Sequence, residues 1–223
     1  MTARTRIKVC GITNNSDAAV AVTAGVDALG FIFVASSPRN IEPEKARDII
    51  ATLPPFVDAV GVFMDAPVEV VEEISQYCGL TVVQLHGAES PEYCESLSGR
   101  VLKTFRVMPD SLNATGVNGP YGEYFGVVEG FLLDTYHEKL GGGTGKTFDW
   151  KIVEKVRPPG PVILAGGLNP DNVGEAIQVV RPFAVDVSSG VELEPGIKDV
   201  SKIERLVDEV RRADGRVSAI GQP

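Results

Sequence analysis

The sequence predicts a single (β/α)8 barrel, the TIM-barrel class, in which eight parallel strands close into a ring and helices cover it. Three observations lead there. Short β-branched apolar runs recur along the chain, helix-like segments separate most of them, and no linker divides the 223 residues into two units. The runs are near-continuously hydrophobic, as parallel strands buried on both faces require. The length is slightly below the ~250 residues typical of this fold. A doubly wound open sheet is the alternative, because alternation alone does not decide closure. The first strand, however, lacks the G-x-G-x-x-G fingerprint of dinucleotide-binding sheets.

Taken in order, strand 1 is read in "IKVCGI" and is followed by a helical segment, Ser16–Ala24. Strand 2, "ALGFIFV", precedes the helix Pro43–Thr52. Strand 3, "DAVGVF", precedes Pro67–Cys78, and strand 4, "LTVVQLH", precedes Pro91–Leu97. Proline suits the first helical position, where its missing N–H has no partner to lose. Strand 5, "VLKTFRV", leads into the weakest unit, Met108–Glu129, where Gly, Asn and Pro interrupt any period. Strand 6, "GFLLDT", and strand 7, "PVILAGG", are separated by the helix Asp149–Val156. Asn169 is placed to cap a helix over Pro170–Val180. Strand 8, "FAVDVSSG", is followed by the helix Asp199–Ala213. Residues 1–213 are therefore expected to form one domain, and 214–223 a flexible tail.

Composition narrows the function. Hydrophobic residues make up 43% of the chain, enough for a substantial core, and the net charge is −9. An acidic protein lacks the basic footprint of a nucleic-acid binder, yet local N–H groups and one or two cations still suffice for a small anion. The start, "MTARTRIKVC", has no apolar stretch of the signal-peptide kind, and no run reaches the ~18–20 residues of a membrane span. The three cysteines, Cys10, Cys78 and Cys94, form no C-x-x-C and no even set for disulfides. Reduced thiols and a cytoplasmic location are expected. Cys78 and Cys94 fall in helical patterns as small hydrophobes.

One stretch invites a different reading. "GGGTGKT" (Gly141–Thr147) resembles the phosphate loop of nucleotide hydrolases, but the first glycine of G-x-x-x-x-G-K-[ST] would stand at position 140, which is Leu140.

In a barrel of this class the active site lies at the C-terminal strand ends, with a phosphate commonly held after strands 7 and 8. Here strand 7 runs into Gly166 and Gly167, and strand 8 into Ser188, Ser189 and Gly190. Small residues let backbone N–H groups approach an anion, and a serine hydroxyl adds a donor. Cys10 and Asp134 end strands 1 and 6, on opposite sides of the ring. A thiol facing a carboxyl group is a base-and-acid pair for proton transfer. Lys8 shares Cys10's face of the strand, and its charge favours a thiolate. From the residues alone, a buried hydrophobe at Cys10 and a structural acceptor at Asp134 remain equally open.

"KVCGIT" (Lys8–Thr13), "GFIF", "SPR" (Ser37–Arg39), "VQLHG" (Val83–Gly87), "LLDT" (Leu132–Thr135), "GGTGKTFDW", "LAGGLNPDNV" and "VDVSSGVE" (Val185–Glu192) together resemble the phosphoribosylanthranilate isomerase family, from about Arg6 to Val210 and in the family's order. The resemblance implies the barrel fold and an Amadori rearrangement of a phosphoribosyl anthranilate in tryptophan biosynthesis. It implies Cys10 as general base and Asp134 as general acid. Arg39 would bind the anthranilate carboxylate, and Gly166, Gly167, Ser188, Ser189 and Gly190 the phosphate. Lys8, Gln84, His86 and Asp186 would support the substrate. By the same resemblance no metal or other cofactor is required, "GGGTGKT" is a mobile loop beside the site, and the partner is a small phosphosugar bound by a monomer or homodimer. A related aminoaldose isomerase of histidine synthesis is the nearest rival, but it would carry Asp where Cys10 stands. A non-catalytic phosphate binder is the rival of another class.

Overall fold

The computed structural model describes residues 4–107, 119–135, 150, 153 and 158–220. Eight parallel strands close into a barrel in sequence order: β1 (Arg6–Cys10), β2 (Ala28–Ile32), β3 (Asp58–Phe63), β4 (Val82–Leu85), β5 (Arg100–Arg106), β6 (Gly130–Asp134), β7 (Val162–Ala165) and β8 (Ala184–Val187). β8 returns to β1, with Lys8 opposite Asp186. Closure excludes the open sheet.

Strand alternation sorts the side chains into two populations. Val9, Leu29, Phe31, Phe131, Leu133, Leu164, Val185 and Val187 point outward and pack with Ala18, Ala21, Ile49, Ala176, Ile177, Ile203 and Leu206 of the surrounding helices in the main core. The inward residues of the lower strand halves, among them Val60, Val82, Leu102, Ile163 and Ala184, surround a cavity of about 220 Å³ at the N-terminal end. Those of the upper halves, with the loops above, surround one of about 440 Å³ at the C-terminal end. Cys78 and Cys94 are buried in core clusters, as the helical patterns suggested. Burial pushes the Cys94 thiol up to about 11, which suits an inert hydrophobe.

The first four helices form where their ends are satisfied. Asn14 Oδ1 accepts from Asp17 N–H and starts α1 (Asn15–Ala24), and Gly25 closes it in the left-handed region. α2 (Pro43–Ile50) and α4 (Pro91–Ser96) open on proline, and Ser90 caps the latter. α3 (Val68–Cys78) ends at Gly79.

Four differences from the sequence pattern matter. The helix expected from Pro170 begins at Val173, because Asn169 and Asn172 first close a turn in which Asn172 Oδ1 accepts from Asn169 N–H. Between β5 and β6 a 3-10 helix, Gly119–Tyr124, is described, and Tyr121 packs edge-on against Phe105 and Phe131. After β8 come a 3-10 turn, Ser189–Val191, and a hairpin of β9 (Glu192–Glu194) and β10 (Ile197–Lys198), which the sequence pattern did not reveal. The last helix, Val200–Ile220, runs past Ala213, and Asp214 is held there by the Thr5 N–H and hydroxyl at 2.9 and 2.7 Å. "GGGTGKT" and most of Asp149–Val156 lie outside the described residues, although Trp150 and Val153 are helical and buried. Among the described residues no helix is long and apolar enough to cross a membrane.

Candidate active site

The upper cavity is lined by Cys10, Arg39, Gln84, His86, Asp134, Gly166, Gly167, Asp186, Ser188 and Ser189, together with apolar side chains such as Ile32, Val62 and Leu132. It thus gathers ten of the twelve residues singled out from the sequence. Lys8 and Gly190 stand apart. Lys8 lines the lower cavity and rises between the two, its Nζ 2.9 Å from Asp186 Oδ2 in a pair that is almost fully buried. Gly190 packs on the neighbouring loop instead: a Cβ there would sit 1.9 Å from the Leu168 carbonyl oxygen. Its lack of a side chain lets the loops after β7 and β8 touch.

Cys10 ends β1 opposite Gly30 on β2. A Cβ on Gly30 would lie 2.7 Å from Cys10 Sγ and 3.1 Å from Lys8 Nζ, so the glycine makes room for both. Burial pushes the thiol's pKa up, Lys8 pulls it back, the Asp186 carboxylate raises it and Lys198 lowers it, and the net direction is upward. The expected help from Lys8 is present, yet the resting group is held as a thiol. Lys8 itself is pulled down by burial and pushed further up by Asp186 and Cys10, so it stays charged.

Asp134 ends β6, bonded through its carbonyl to the Val107 N–H. One of its carboxylate oxygens lies 3.5 Å from His86 Nε2 at the end of β4. The next residue, Thr135, locks β6 to β7: its hydroxyl donates to the carbonyls of Ala165 and Gly166 at 2.9 and 3.0 Å. That seam positions Gly166 and Gly167, which hold φ of 90° and 67°, a conformation that glycine adopts without strain. A Cβ on Gly167 would meet nothing within 4 Å, so its backbone is open to a ligand.

Several wall groups are buried without a hydrogen-bond partner: Gln84 Oε1, Asp186 Oδ1 and Ser188 Oγ. Such atoms cost stability unless a ligand supplies the bond. Arg39 is less free than its sequence suggested. Its Nε is 2.8 Å from Glu192 Oε1, and its Nη2 is 2.6 Å from Oε2. Glu192 and its second partner, Lys198, were missed in the sequence, although Glu192 closes the "VDVSSGVE" motif. Among the described residues no cluster of three or more His, Cys, Asp or Glu is arranged to hold a metal.

The sequence matches the family model described as N-(5'phosphoribosyl)anthranilate (PRA) isomerase over residues 7–209. An N-(5'-phosphoribosyl)anthranilate isomerase of Geobacter sp. (strain M21) is 50% identical over 209 residues, covering 93% of this chain and 98% of the relative. The crystal structure of phosphoribosyl anthranilate isomerase from Thermotoga maritima is similar with a TM-score of 0.81 and 44% identity, covering 93% of this chain and 99% of that one. A second solved phosphoribosyl anthranilate isomerase, in complex with reduced 1-(o-carboxyphenylamino)-1-deoxyribulose 5-phosphate, is similar with a TM-score of 0.76 and 40% identity over 93% and 99% of the two chains.

Proposed function

Because this chain belongs to the N-(5'-phosphoribosyl)anthranilate isomerase family, we propose that its upper cavity performs the Amadori rearrangement of N-(5-phosphoribosyl)anthranilate, with Cys10 as base and Asp134 as acid. The observation that carries this reading is the shared cavity: the ends of β1 and β6 present a thiol and a carboxyl group to one space of about 440 Å³. Its remaining wall offers small-residue loops on one side and Arg39 on another.

The ligand's phosphate sits against Gly166, Gly167, Ser188 and Ser189, with Gly190 holding the two loops together. Backbone N–H groups and the partnerless Ser188 hydroxyl supply donors there. The anthranilate carboxylate meets Arg39. Asp134 gives its proton to the furanose ring oxygen as the C1–O bond breaks, and the substrate nitrogen donates its lone pair to form an iminium. Cys10, once its thiol has given its proton to solvent, removes the C2 proton as a thiolate that the Lys8 charge favours, and those electrons move into a C1–C2 double bond, neutralising the nitrogen. The enolamine tautomerises: the C2 hydroxyl loses its proton, C1 gains one, and a ketone results. Electrons are conserved within the substrate, so the scheme calls on no redox partner or other cofactor. His86, 3.5 Å from Asp134, orients the acid. Asp186 and Gln84 accept from sugar hydroxyls, and Lys8 holds Asp186 from below while lending charge to the Cys10 thiolate. The protein acts as a monomer or homodimer.

The experiment is direct. Purified protein mixed with phosphoribosylanthranilate should extinguish the substrate's fluorescence as the aminoketose forms. A folded protein that leaves the signal at its spontaneous rate would refute the assignment.

A further inference from the structure

The β9–β10 hairpin places two ionic side chains against residues of the cavity wall, and the reaction scheme does not use them. Glu192 has a side chain only 4% exposed, and that of Lys198 is 1% exposed. Glu192 accepts from Arg39 Nε at 2.8 and 3.1 Å, from Arg39 Nη2 at 2.6 Å, from Lys198 Nζ at 2.7 Å and from the Gly196 N–H at 3.3 Å. Lys198 Nζ also donates to the Cys10 carbonyl at 2.6 Å and to the Ser188 carbonyl at 3.4 Å. The hairpin is pinned from outside as well: the Thr13 hydroxyl donates to the Gly196 carbonyl at 2.6 Å, and the Lys198 N–H to Asp17 at 2.8 Å. One buried cluster therefore joins the strand that carries the thiol, the loop that carries Arg39 and the turn that carries Ser188.

We infer that Glu192 is a positioning residue that sets the cavity's selectivity for a carboxylate-bearing ligand, by holding the Arg39 guanidinium in its binding orientation before the ligand arrives. This rests on the proposed role of Arg39. A guanidinium has five N–H donors. Glu192 occupies Nε and one N–H of Nη2 and leaves Nη1 with the other N–H of Nη2, an end-on pair that matches the two oxygens of a second carboxylate. An unheld arginine surrenders rotamer freedom when it is fixed; Glu192 imposes that ordering during folding, so the ligand does not meet it. Lys198 makes the arrangement sustainable. Two cationic side chains share one buried carboxylate, and Lys198 ties Glu192 to β1 and to the turn after β8 through the Cys10 and Ser188 carbonyls.

The test compares two probes: the reduced aminodeoxyribulose 5-phosphate that carries the o-carboxyphenyl group, and its phenyl counterpart without the carboxylate. The wild-type protein should prefer the carboxylated probe by about 10- to 100-fold, the range for hydrogen bonds between charged groups. Glu192→Asp keeps the charge that Lys198 requires but draws it back from Arg39, and Glu192→Gln removes it. In both, the preference should collapse while affinity for the carboxylate-free probe stays within about twofold, the scatter of independent effects. In turnover, KM should rise more than kcat falls. On an Arg39→Ala background, Glu192→Asp should change the preference no further. Should Glu192→Gln fail to fold, Glu192→Asp still decides. A preference that survives Glu192→Asp, or equal loss for both probes, overturns the inference. No preference in the wild type would instead remove Arg39 from carboxylate binding, and the inference with it.

Discussion

At the lower end of the barrel, Asp27 accepts from the Ile7 N–H at 2.9 Å and pairs with Arg4 through both carboxylate oxygens. Asp58 accepts from the Thr81 hydroxyl at 2.8 Å and from Arg100, and Glu129 accepts from the Val101 N–H at 2.6 Å. At the upper end, Gln84, Asp186 and Ser188 each keep a buried polar atom without a partner, and a thiol is buried against its own ionisation. The same strands supply both ends. Below, polar groups satisfy one another and stabilise the fold; above, they are left incomplete, at a cost to stability that a ligand offsets. Ser75 Oγ and Thr104 Oγ1 are buried without a partner elsewhere, so it is the gathering of three such atoms in the wall of one cavity that marks the working face.

The contrast breaks most severely at Asp134. Asp134→Ala should lower turnover by at least ~10²-fold, the usual contribution of a positioned proton donor, with the melting temperature nearly unchanged. A steady-state assay beside a thermal melt checks both. A sharper probe of the upper end leaves every chemical group in place. Gly30→Ala would thrust a methyl group to 2.7 Å from Cys10 Sγ, and a displacement of about 1 Å costs up to ~10²-fold in rate. A smaller loss than that of Asp134→Ala is expected, and a crystal structure of the variant should show the thiol moved.

The lower end should respond in the opposite sense. Asp27→Ala orphans the Ile7 N–H and should cost about 1–2 kcal/mol, lowering the melting temperature by roughly 2–8 °C and sparing kcat. Burial works to raise the Asp27 pKa, but the bonds from Arg4 and Ile7 outweigh it and hold the carboxyl below its ordinary value. A depressed folded pKa stabilises the protein above the unfolded value and loses that contribution as pH falls through the folded one. The wild type should therefore lose stability relative to Asp27→Ala as pH falls below about 4. Urea titrations at pH 7 and pH 3 measure the difference. The smallest effect is expected at the exposed Arg100–Asp58 pair. Arg100→Ala should shift stability by at most ~1 kcal/mol and leave catalysis alone.

How far the sequence reached follows the same division. Strands were legible because each is a short local run, and most site residues stand at strand ends, where a run terminates in Cys10, Asp134 or a pair of glycines. What escaped depends on distance along the chain. Glu192 is only the last residue of "VDVSSGVE" until β9 brings it to Arg39, 153 residues away. The extension of the last helix beyond Ala213 is accompanied by a contact with Thr5 across 209 residues. Lys8's alternation with Cys10 was visible, but not that Asp186 would take its ammonium below the cavity. Its charge near the thiol was visible too; the burial and the Asp186 carboxylate that oppose it are properties of the closed barrel.

The central claim is that Cys10 is a base and not core, and one variant tests it most directly. Cys10→Ala, assayed for turnover and melted in the same buffer, should lose at least ~10²-fold in kcat while its melting temperature moves by only about 2–4 °C, the response to roughly 1 kcal/mol in a chain of this size. A well-folded Cys10→Ala protein that turns over at a near-normal rate would contradict the account and return the thiol to the hydrophobic interior.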